Sequence, residues 1–384
     1  MRHQAPAILA WAMLLLGCSS SGDGDSVNAL PSPPPTDPTG STPAPRDPVP
    51  TVPVLFVLGD SLSDVGNAAG AADYLLGQTI APATVGLCNP ADVLGVPRDC
   101  EDLFYRKSRV TDGEVAVEHL AKHLGVAELA PSLHVIPRGR SAGTDYAVAS
   151  AKARGADVQD LSYQVDRLLL DHAPLSADAL YVVLIGGNDA IDALQAATTS
   201  AQESAAIVTS AVAAIASNVE RLLDFGARRI VVANVPDLSS LPAVRSRALA
   251  SPDPTALLAR ASAITDDFDR DVRAFLDQVA GNPRWNAPTA PVVARFDLRA
   301  ALQAAQREMA AAGGNTRDAC FDSDTYRQSP SAQRLLHVEC APEPGGAPRF
   351  SRFVFWDDIH PTGAAHAAVG TSLIAAVDAA LAGS

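Results

Sequence analysis

Val54-Leu55-Phe56-Val57-Leu58-Gly59-Asp60-Ser61-Leu62-Ser63-Asp64-Val65-Gly66-Asn67 is the stretch that decides the fold. Its first five residues are apolar without alternation, the pattern of a strand buried on both faces and not of one half-exposed to water. Gly59 then ends the run, and polar residues crowd in at once. In an open parallel sheet, reactive groups gather beyond the carboxyl ends of the strands. A serine on a tight, Gly-led turn between strand and helix is well placed to be an exposed nucleophile.

Outward from this stretch, similar runs recur at Tyr146–Ala149, Leu180–Ile185, Arg229–Val235 and Val292–Asp297. Segments with apolar residues at three- and four-residue steps lie between most of them, as in Ala205–Phe225 and Ala261–Ala280, and an Ala-rich helix is expected at Gly363–Leu381. Strands alternating with helices predict an α/β fold, a three-layer α/β/α sandwich around a central parallel sheet. Two less periodic stretches, about 75–108 and 312–350, read as excursions from that core.

Three further strand ends carry chemistry. Asp145-Tyr146-Ala147-Val148-Ala149-Ser150-Ala151 finishes in small residues whose N–H groups can approach a substrate oxygen. Gly186-Gly187-Asn188-Asp189 presents a side-chain amide on a Gly-Gly turn. Trp356-Asp357-Asp358-Ile359-His360-Pro361-Thr362-Gly363 sets an acid three residues before a histidine, at the mouth of the last helix. A hydroxyl, an imidazole, a carboxylate and neutral donors are together what acyl transfer needs. The blocks FVLGDSLSD, YAVASA, GGNDA and DDIHPT resemble, in order, the signatures of the SGNH or GDSL hydrolases. RVTDGEVAVEHLAKHLG at 109–125 resembles a segment of their lipase-like branch.

That resemblance implies a flavodoxin-like sandwich with Ser61 as nucleophile, His360 as general base and acid, and Asp357 as partner of the imidazole. The oxyanion donors it implies are the Ser61 N–H, the Asn188 amide, and a main-chain N–H at Ser150, with Ala149 as the neighbouring alternative. The family carries glycine at the Ser150 position, so this is a departure, and the φ/ψ of Ser150 decides whether it can serve. No metal or organic cofactor is implied. The expected activity is serine-dependent hydrolysis of carboxylic or phospholipid esters. Carbohydrate O-deacetylation is the alternative, and a noncatalytic glycan- or lipid-binding protein is the contrasting class.

Several signals compete. Gly139-Arg140-Ser141-Ala142-Gly143 fits the G-x-S-x-G elbow, but its strand-like run follows Ser141 when it should precede it. His119 and His123 are four apart, yet the Glu that a zincin needs directly after its first histidine is missing. His366 reads as packing, Asp358 as pointing away from His360, and Asp60, Asp64, Asn67 and Asp189 as residues that fix turns.

The amino terminus has another logic. Residues 1–17 combine Arg2, an apolar run of ten residues from Ala7 to Leu16, and a small residue before Cys18, too short for the roughly 20 residues that span a bilayer. Leu15-Leu16-Gly17-Cys18 resembles a bacterial lipobox, which implies lipidation at Cys18 and, with Ser19 following, an outer-membrane lipoprotein. Residues 18–53 hold ten of the 29 prolines and almost no large apolar residue, so they read as a tether to a hydrolase domain at 54–384. In an oxidising compartment the other thiols pair. Of three connectivities, Cys88–Cys100 with Cys320–Cys340 keeps each pair inside one excursion. The chain of 384 residues is 47% hydrophobic with a net charge of −14, enough for one large core and repulsive to nucleic-acid phosphates. A monomer acting on a small-molecule or lipid ester is expected, with the membrane reached through the N-terminal anchor.

Overall fold

The structure is a computed structural model that describes residues 52–75, 109–126, 129–136, 143–285, 290–322, 336–341 and 348–382. The signal segment, Cys18, nearly all of the tether, Cys88, Cys100 and the Ser141 elbow lie outside the described residues.

Four strands form a parallel sheet in the order β1 (Leu55–Gly59), β2 (Leu180–Leu184), β3 (Arg229–Ala233), β4 (Val292–Phe296). The register pairs Leu55 with Leu180, Leu180 with Arg229, and Arg229 with Val292, so the carboxyl ends lie level. Every residue of β1 and β2 is buried, as their unbroken apolar runs require, whereas edge strand β4 is mostly half-buried. The run at Tyr146–Ala149 departs from expectation. It is not a full strand: only Asp145 bridges Val57, in parallel. Tyr146 and Val148 still donate to the Val57 and Gly59 carbonyls at 2.7 and 3.1 Å, so the segment lies along the free edge of β1 and brings Ala149 and Ser150 level with the other strand ends.

Helices cover both faces. On one side α2 (Ala116–His123), α8 (Leu298–Ala311) and α9 (Gly363–Ala382) pack together; on the other lie α3 (Leu161–His172), α4 (Gly187–Ala196), α5 (Ala201–Asp224) and α7 (Pro254–Ala280). Two shorter helices, α1 (Asn67–Leu75) and α6 (Pro242–Leu249), complete the set among the described residues. The expected three-layer α/β/α sandwich is therefore present. Helices α5 and α7 begin earlier than their apolar periodicity suggests, because caps decide helix starts: Ser200 accepts the Glu203 N–H, and Asp253 accepts the Ala256 N–H with Pro254 at the first helical position.

The second excursion holds more order than its sequence suggests. β5 (Asn315–Ala319) and β6 (Phe353–Phe355) pair in parallel as a separate two-stranded sheet. Cys320 and Cys340 form the expected disulfide, with Cα atoms 5.4 Å apart. The disulfide sits in its own apolar cluster with Phe321, Phe350, Phe353 and Trp356. Cys320 and Phe321 donate to the Phe355 and Trp356 carbonyls at 3.0 and 2.8 Å, so this stapled segment props the chain just before Asp357.

Candidate active site

Gly59 brings the chain out of β1 in a gap that takes no side chain, since a Cβ there would stand 2.4 Å from the Leu184 carbonyl oxygen. Its backbone is held from both sides by one residue: Gly59 N–H donates to Gln164 Oε1 at 2.9 Å, and Gln164 Nε2 donates to the Gly59 carbonyl at 2.8 Å. Asp60 Oδ1 accepts the Leu62 N–H at 3.1 Å, and Asp64 Oδ1 accepts the N–H groups of Gly66 and Asn67 at 2.7 and 2.6 Å. These are the turn-fixing bonds expected of Asp60 and Asp64, but the network reaches further. Asp64 Oδ2 accepts the Ala149 N–H at 2.8 Å, and Asn67 Nδ2 donates to the Asp145 and Ala147 carbonyls at 2.9 and 2.8 Å. The nucleophile turn and the 145–150 segment are thus one rigid unit.

His360 and Asp357 lie on the loop between β6 and α9. Asp357 Oδ1 accepts the N–H groups of Ile359 and His360 at 2.8 and 2.6 Å, closing the loop on itself. The carboxylate also faces His360 Nδ1 at 2.8 Å, and His360 Nε2 stands 2.8 Å from Ser61 Oγ. With Nδ1–H donating to the carboxylate, Nε2 carries the lone pair that accepts the Ser61 hydroxyl proton. The segment before α2 pins this loop to the body: Thr111 Oγ1 donates to the Pro361 carbonyl and Asp112 Oδ1 accepts the Gly363 N–H, both at 2.8 Å. Ser61, Asp357 and His360 are all buried, so the Asp357 carboxylate acts on the imidazole with little water between them.

Opposite the imidazole, Gly186 takes a φ of +117°, where a Cβ would meet the Phe268 ring at 2.4 Å. That turn starts α4 and brings Asn188 to the cavity that Ser61 also lines. One N–H of its amide donates to the Ala151 carbonyl at 2.9 Å, which fixes the side chain while the amide keeps a second N–H to donate. Ser150 has a φ of +69°, the left-handed region that glycine occupies without cost. Ser150 therefore keeps the backbone form that a glycine would adopt, at the expense of strain. Asp189 accepts the Ala153 N–H at 2.8 Å, the structural role expected of it.

A family model for GDSL-like lipase/acylhydrolase proteins matches residues 55–373, which take in the sheet, the serine turn and the Asp357–His360 loop. The chain belongs to this family. Among curated proteins it is similar to three from Arabidopsis thaliana. One is named GDSL esterase/lipase LIP-4, 25% identical over 214 residues that make up 50% of this chain and 52% of that protein. The other two are named inactive GDSL esterase/lipase-like proteins 25 and 23, at 25% and 28% identity, each over 50% of this chain and covering 43% and 47% of their own lengths. The chain thus spans about half the length of these relatives. Among solved structures, a catalytic mutant of Axe2, an acetylxylan esterase from Geobacillus stearothermophilus, covers 85% of this chain and 96% of its own at 11% identity and a TM-score of 0.39.

In this GDSL-family site, burial sets the electrostatics. Burial of Asp357 alone would raise its carboxyl, but the charge of His360 and the N–H groups of His360 and Ile359 outweigh it and hold the group below the usual carboxylate value. Asp60 goes the other way: burial pushes it up to about 7, only partly offset by the Leu62 N–H and by His360. Ser61, Asp60, Asn188 and His360 border a cavity of about 40 Å³ whose far wall comes from α2, α8 and α9.

Other sequence candidates are placed differently. His123 is exposed and pairs with Asp378 at 3.0 Å, while His119 is half-buried with its Cβ against Gly370. Among the described residues no group of three His, Cys, Asp or Glu side chains could hold a metal ion. His366 is buried, as a packing residue should be, yet it also lines the cavity. Sequence reasoning missed Gln164, a neutral helix residue with no local signature. It also missed the work of Thr111 and Asp112, where only the resemblance of 109–125 to a family segment pointed.

Proposed function

We propose that this GDSL-family chain is a serine-dependent ester hydrolase that works through an acyl-enzyme. One observation carries the reading: Asp357, His360 and Ser61 stand in hydrogen-bonded line at 2.8 Å and 2.8 Å, with the Asn188 amide beside them. Ser61 Oγ attacks the ester carbonyl as His360 Nε2 takes its proton. The N–H groups of Ser61 and Ser150 and the Asn188 amide hold the oxyanion. The imidazolium, stabilised by Asp357, then protonates the departing alcohol. Water, deprotonated in turn by His360, releases the acid and restores Ser61. The complete line argues for activity even though two of the similar plant proteins are named inactive.

The cavity volume bears on the substrate. A water needs roughly 10–15 Å³ measured in this way, so about 40 Å³ is room for about three water-sized groups beside Ser61. That favours short acyl groups, carried on small carboxylic esters or as O-acetyl groups on carbohydrates, over long acyl chains. Export, lipidation at Cys18 and action outside the cytoplasm belong to the same proposal and rest on the amino-terminal sequence.

Purified chain and its Ser61→Ala variant, assayed on p-nitrophenyl acetate, butanoate and octanoate, test this reading. We expect the acetate and butanoate to be the better substrates and a loss of kcat on the order of 10⁵–10⁶ in the variant. A fluorophosphonate should label the wild type at Ser61. Unchanged turnover in Ser61→Ala, or no adduct, removes the assignment.

A further inference from the structure

The backbone from Val148 to Ala151 forms a turn, closed by the Ala151 N–H donating to the Val148 carbonyl at 3.1 Å. Of its two central residues Ala149 keeps a negative φ and Ser150 takes +69°, the combination of a type II turn. A type I turn keeps both residues at negative φ and spares a serine the left-handed strain. The two forms differ by a flip of the central peptide, which carries the Ala149 carbonyl and the Ser150 N–H. The φ of Ser150 therefore decides which way that N–H faces.

The rest of the turn is tied down. The Val148 N–H donates to the Gly59 carbonyl at 3.1 Å, and the Ala151 carbonyl accepts the Asn188 amide at 2.9 Å. The Ala149 N–H donates to Asp64 Oδ2 at 2.8 Å. Within 148–151 only the Ser150 N–H makes no hydrogen bond among the described residues. Asp64 itself is 1% exposed, and its two oxygens divide their work. Oδ1 accepts the N–H groups of Gly66 and Asn67 at 2.7 and 2.6 Å, while Oδ2 accepts those of Ala68 and Ala149 at 3.1 and 2.8 Å. Burial pushes this carboxyl up, yet every partner is a donor, so a proton on either oxygen has to displace one of them. A local cap at Gly66 and Asn67 needs one oxygen only. The second reaches 85 positions along the chain to the turn that carries Ser150.

We propose that Asp64 is a positioning residue for oxyanion stabilisation: by holding the Ala149 N–H it keeps the 148–151 turn in the form that presents the Ser150 N–H, and it withdraws Ala149 as a competing donor. The proposal rests on the ester-hydrolase reading and deepens it.

The test measures kcat and KM on p-nitrophenyl acetate for wild type, Asp64→Asn, Ser150→Gly and the double variant, each referred to folded protein by circular dichroism. Asparagine keeps the shape of aspartate but must turn an amide N–H toward either the Ala149 N–H or the cap at Gly66 and Asn67. Asp64→Ser, which keeps one oxygen for the cap and gives up the other, takes its place if the asparagine variant does not fold. We expect Asp64→Asn to lose about tenfold to a thousandfold in kcat while KM changes by less than about threefold, because an oxyanion donor acts in the transition state. Glycine takes the left-handed form freely, so Ser150→Gly should raise the kcat of the Asp64 variant by about fivefold more than it changes that of wild type. Loss of a purely structural cap gives no such rescue. A kcat loss below about tenfold overturns the proposal, and so does a loss that falls on KM. A large kcat loss that Ser150→Gly does not relieve also overturns it and leaves Asp64 as a cap of the nucleophile turn. All these outcomes leave the ester-hydrolase reading standing, whereas no turnover by folded wild type removes that reading and this proposal together.

Discussion

Gln164 grips Gly59 by both backbone groups, accepting its N–H at 2.9 Å and donating to its carbonyl at 2.8 Å. Two residues later comes Ser61. A helix of the α3 layer therefore holds the last residue of β1 in place, and the nucleophile turn leaves the sheet from a fixed point. The Gly59 carbonyl has a second donor in the Val148 N–H at 3.1 Å, so the Gly59 N–H depends more heavily on Gln164. Replacing Gln164 by Leu leaves that buried N–H unanswered and should lower the unfolding free energy by about 1–3 kcal/mol in urea titration. It should also depress kcat more than it raises KM, because the loss falls on nucleophile placement. Gln164→Glu, which keeps only the acceptor, should fall between the two.

Asn188 differs from the other proposed oxyanion donors because its donor is a side chain. The Ala151 carbonyl holds one N–H at 2.9 Å, so the amide is oriented before substrate arrives. Asn188→Ala should cut kcat on p-nitrophenyl butanoate by about 10²–10³ with little change in KM, as expected for a donor used mainly in the transition state. A loss below about fivefold would show that the amide does not face the developing charge.

Ser150 holds its backbone in the left-handed region. Its φ of +69° costs an L-residue about 1–2 kcal/mol relative to glycine. Ser150→Gly should raise stability by about 0.5–1 kcal/mol, the strain relieved less the added freedom of the unfolded chain. Ser150→Val, β-branched in the same conformation, should lower it by more than about 1 kcal/mol. Equal stability in all three would contradict the left-handed backbone.

Asp60 gives a pH signature with a definite sign. Its folded value lies at about 7, raised by burial above the ordinary carboxyl value of 3.8. The folded chain therefore binds this proton more tightly than the unfolded chain. The associated stability is fully present below pH 3.8 and is lost as pH rises through about 7. Asparagine is neutral throughout and can keep the acceptor for the Leu62 N–H. The stability of Asp60→Asn relative to wild type should accordingly rise between pH 4 and pH 8, by about 1–4 kcal/mol at about 1.4 kcal/mol per unit. A difference that is flat with pH would place the carboxyl in a more polar setting.

Much of the sheet was legible because β1 and β2 are buried on both faces and so had to be apolar throughout. The Tyr146–Ala149 run was read as a strand for the same reason, and it does lie along β1. Tyr146 and Val148 still donate to β1 carbonyls, but the ladder is one-sided, because the Ala147 carbonyl and the Ala149 N–H are taken up by Asn67 and Asp64. β5 was not legible: Asn-Thr-Arg-Asp-Ala is mostly exposed or half-buried, and its partner β6 lies more than thirty residues on. Pairings set by such distant contacts leave little trace in local composition.

For Ser61, Asn188, Asp357 and His360, sequence alone determined the residue types, their order and their places at strand ends, since each sits on a short motif with its own turn chemistry. It also determined that Asp357 and His360 would lie close together, three residues apart on one loop. Only the tertiary structure decided that His360 reaches Ser61 across 299 positions of chain, because that distance is set by how the α2 and α9 layer packs against the sheet. Tertiary structure alone also turned His366 from a packing residue into part of the cavity wall. A histidine in an Ala-rich helix looks the same in sequence whichever way the helix faces, and the packing of α9 against α2 and α8 settled which way that is.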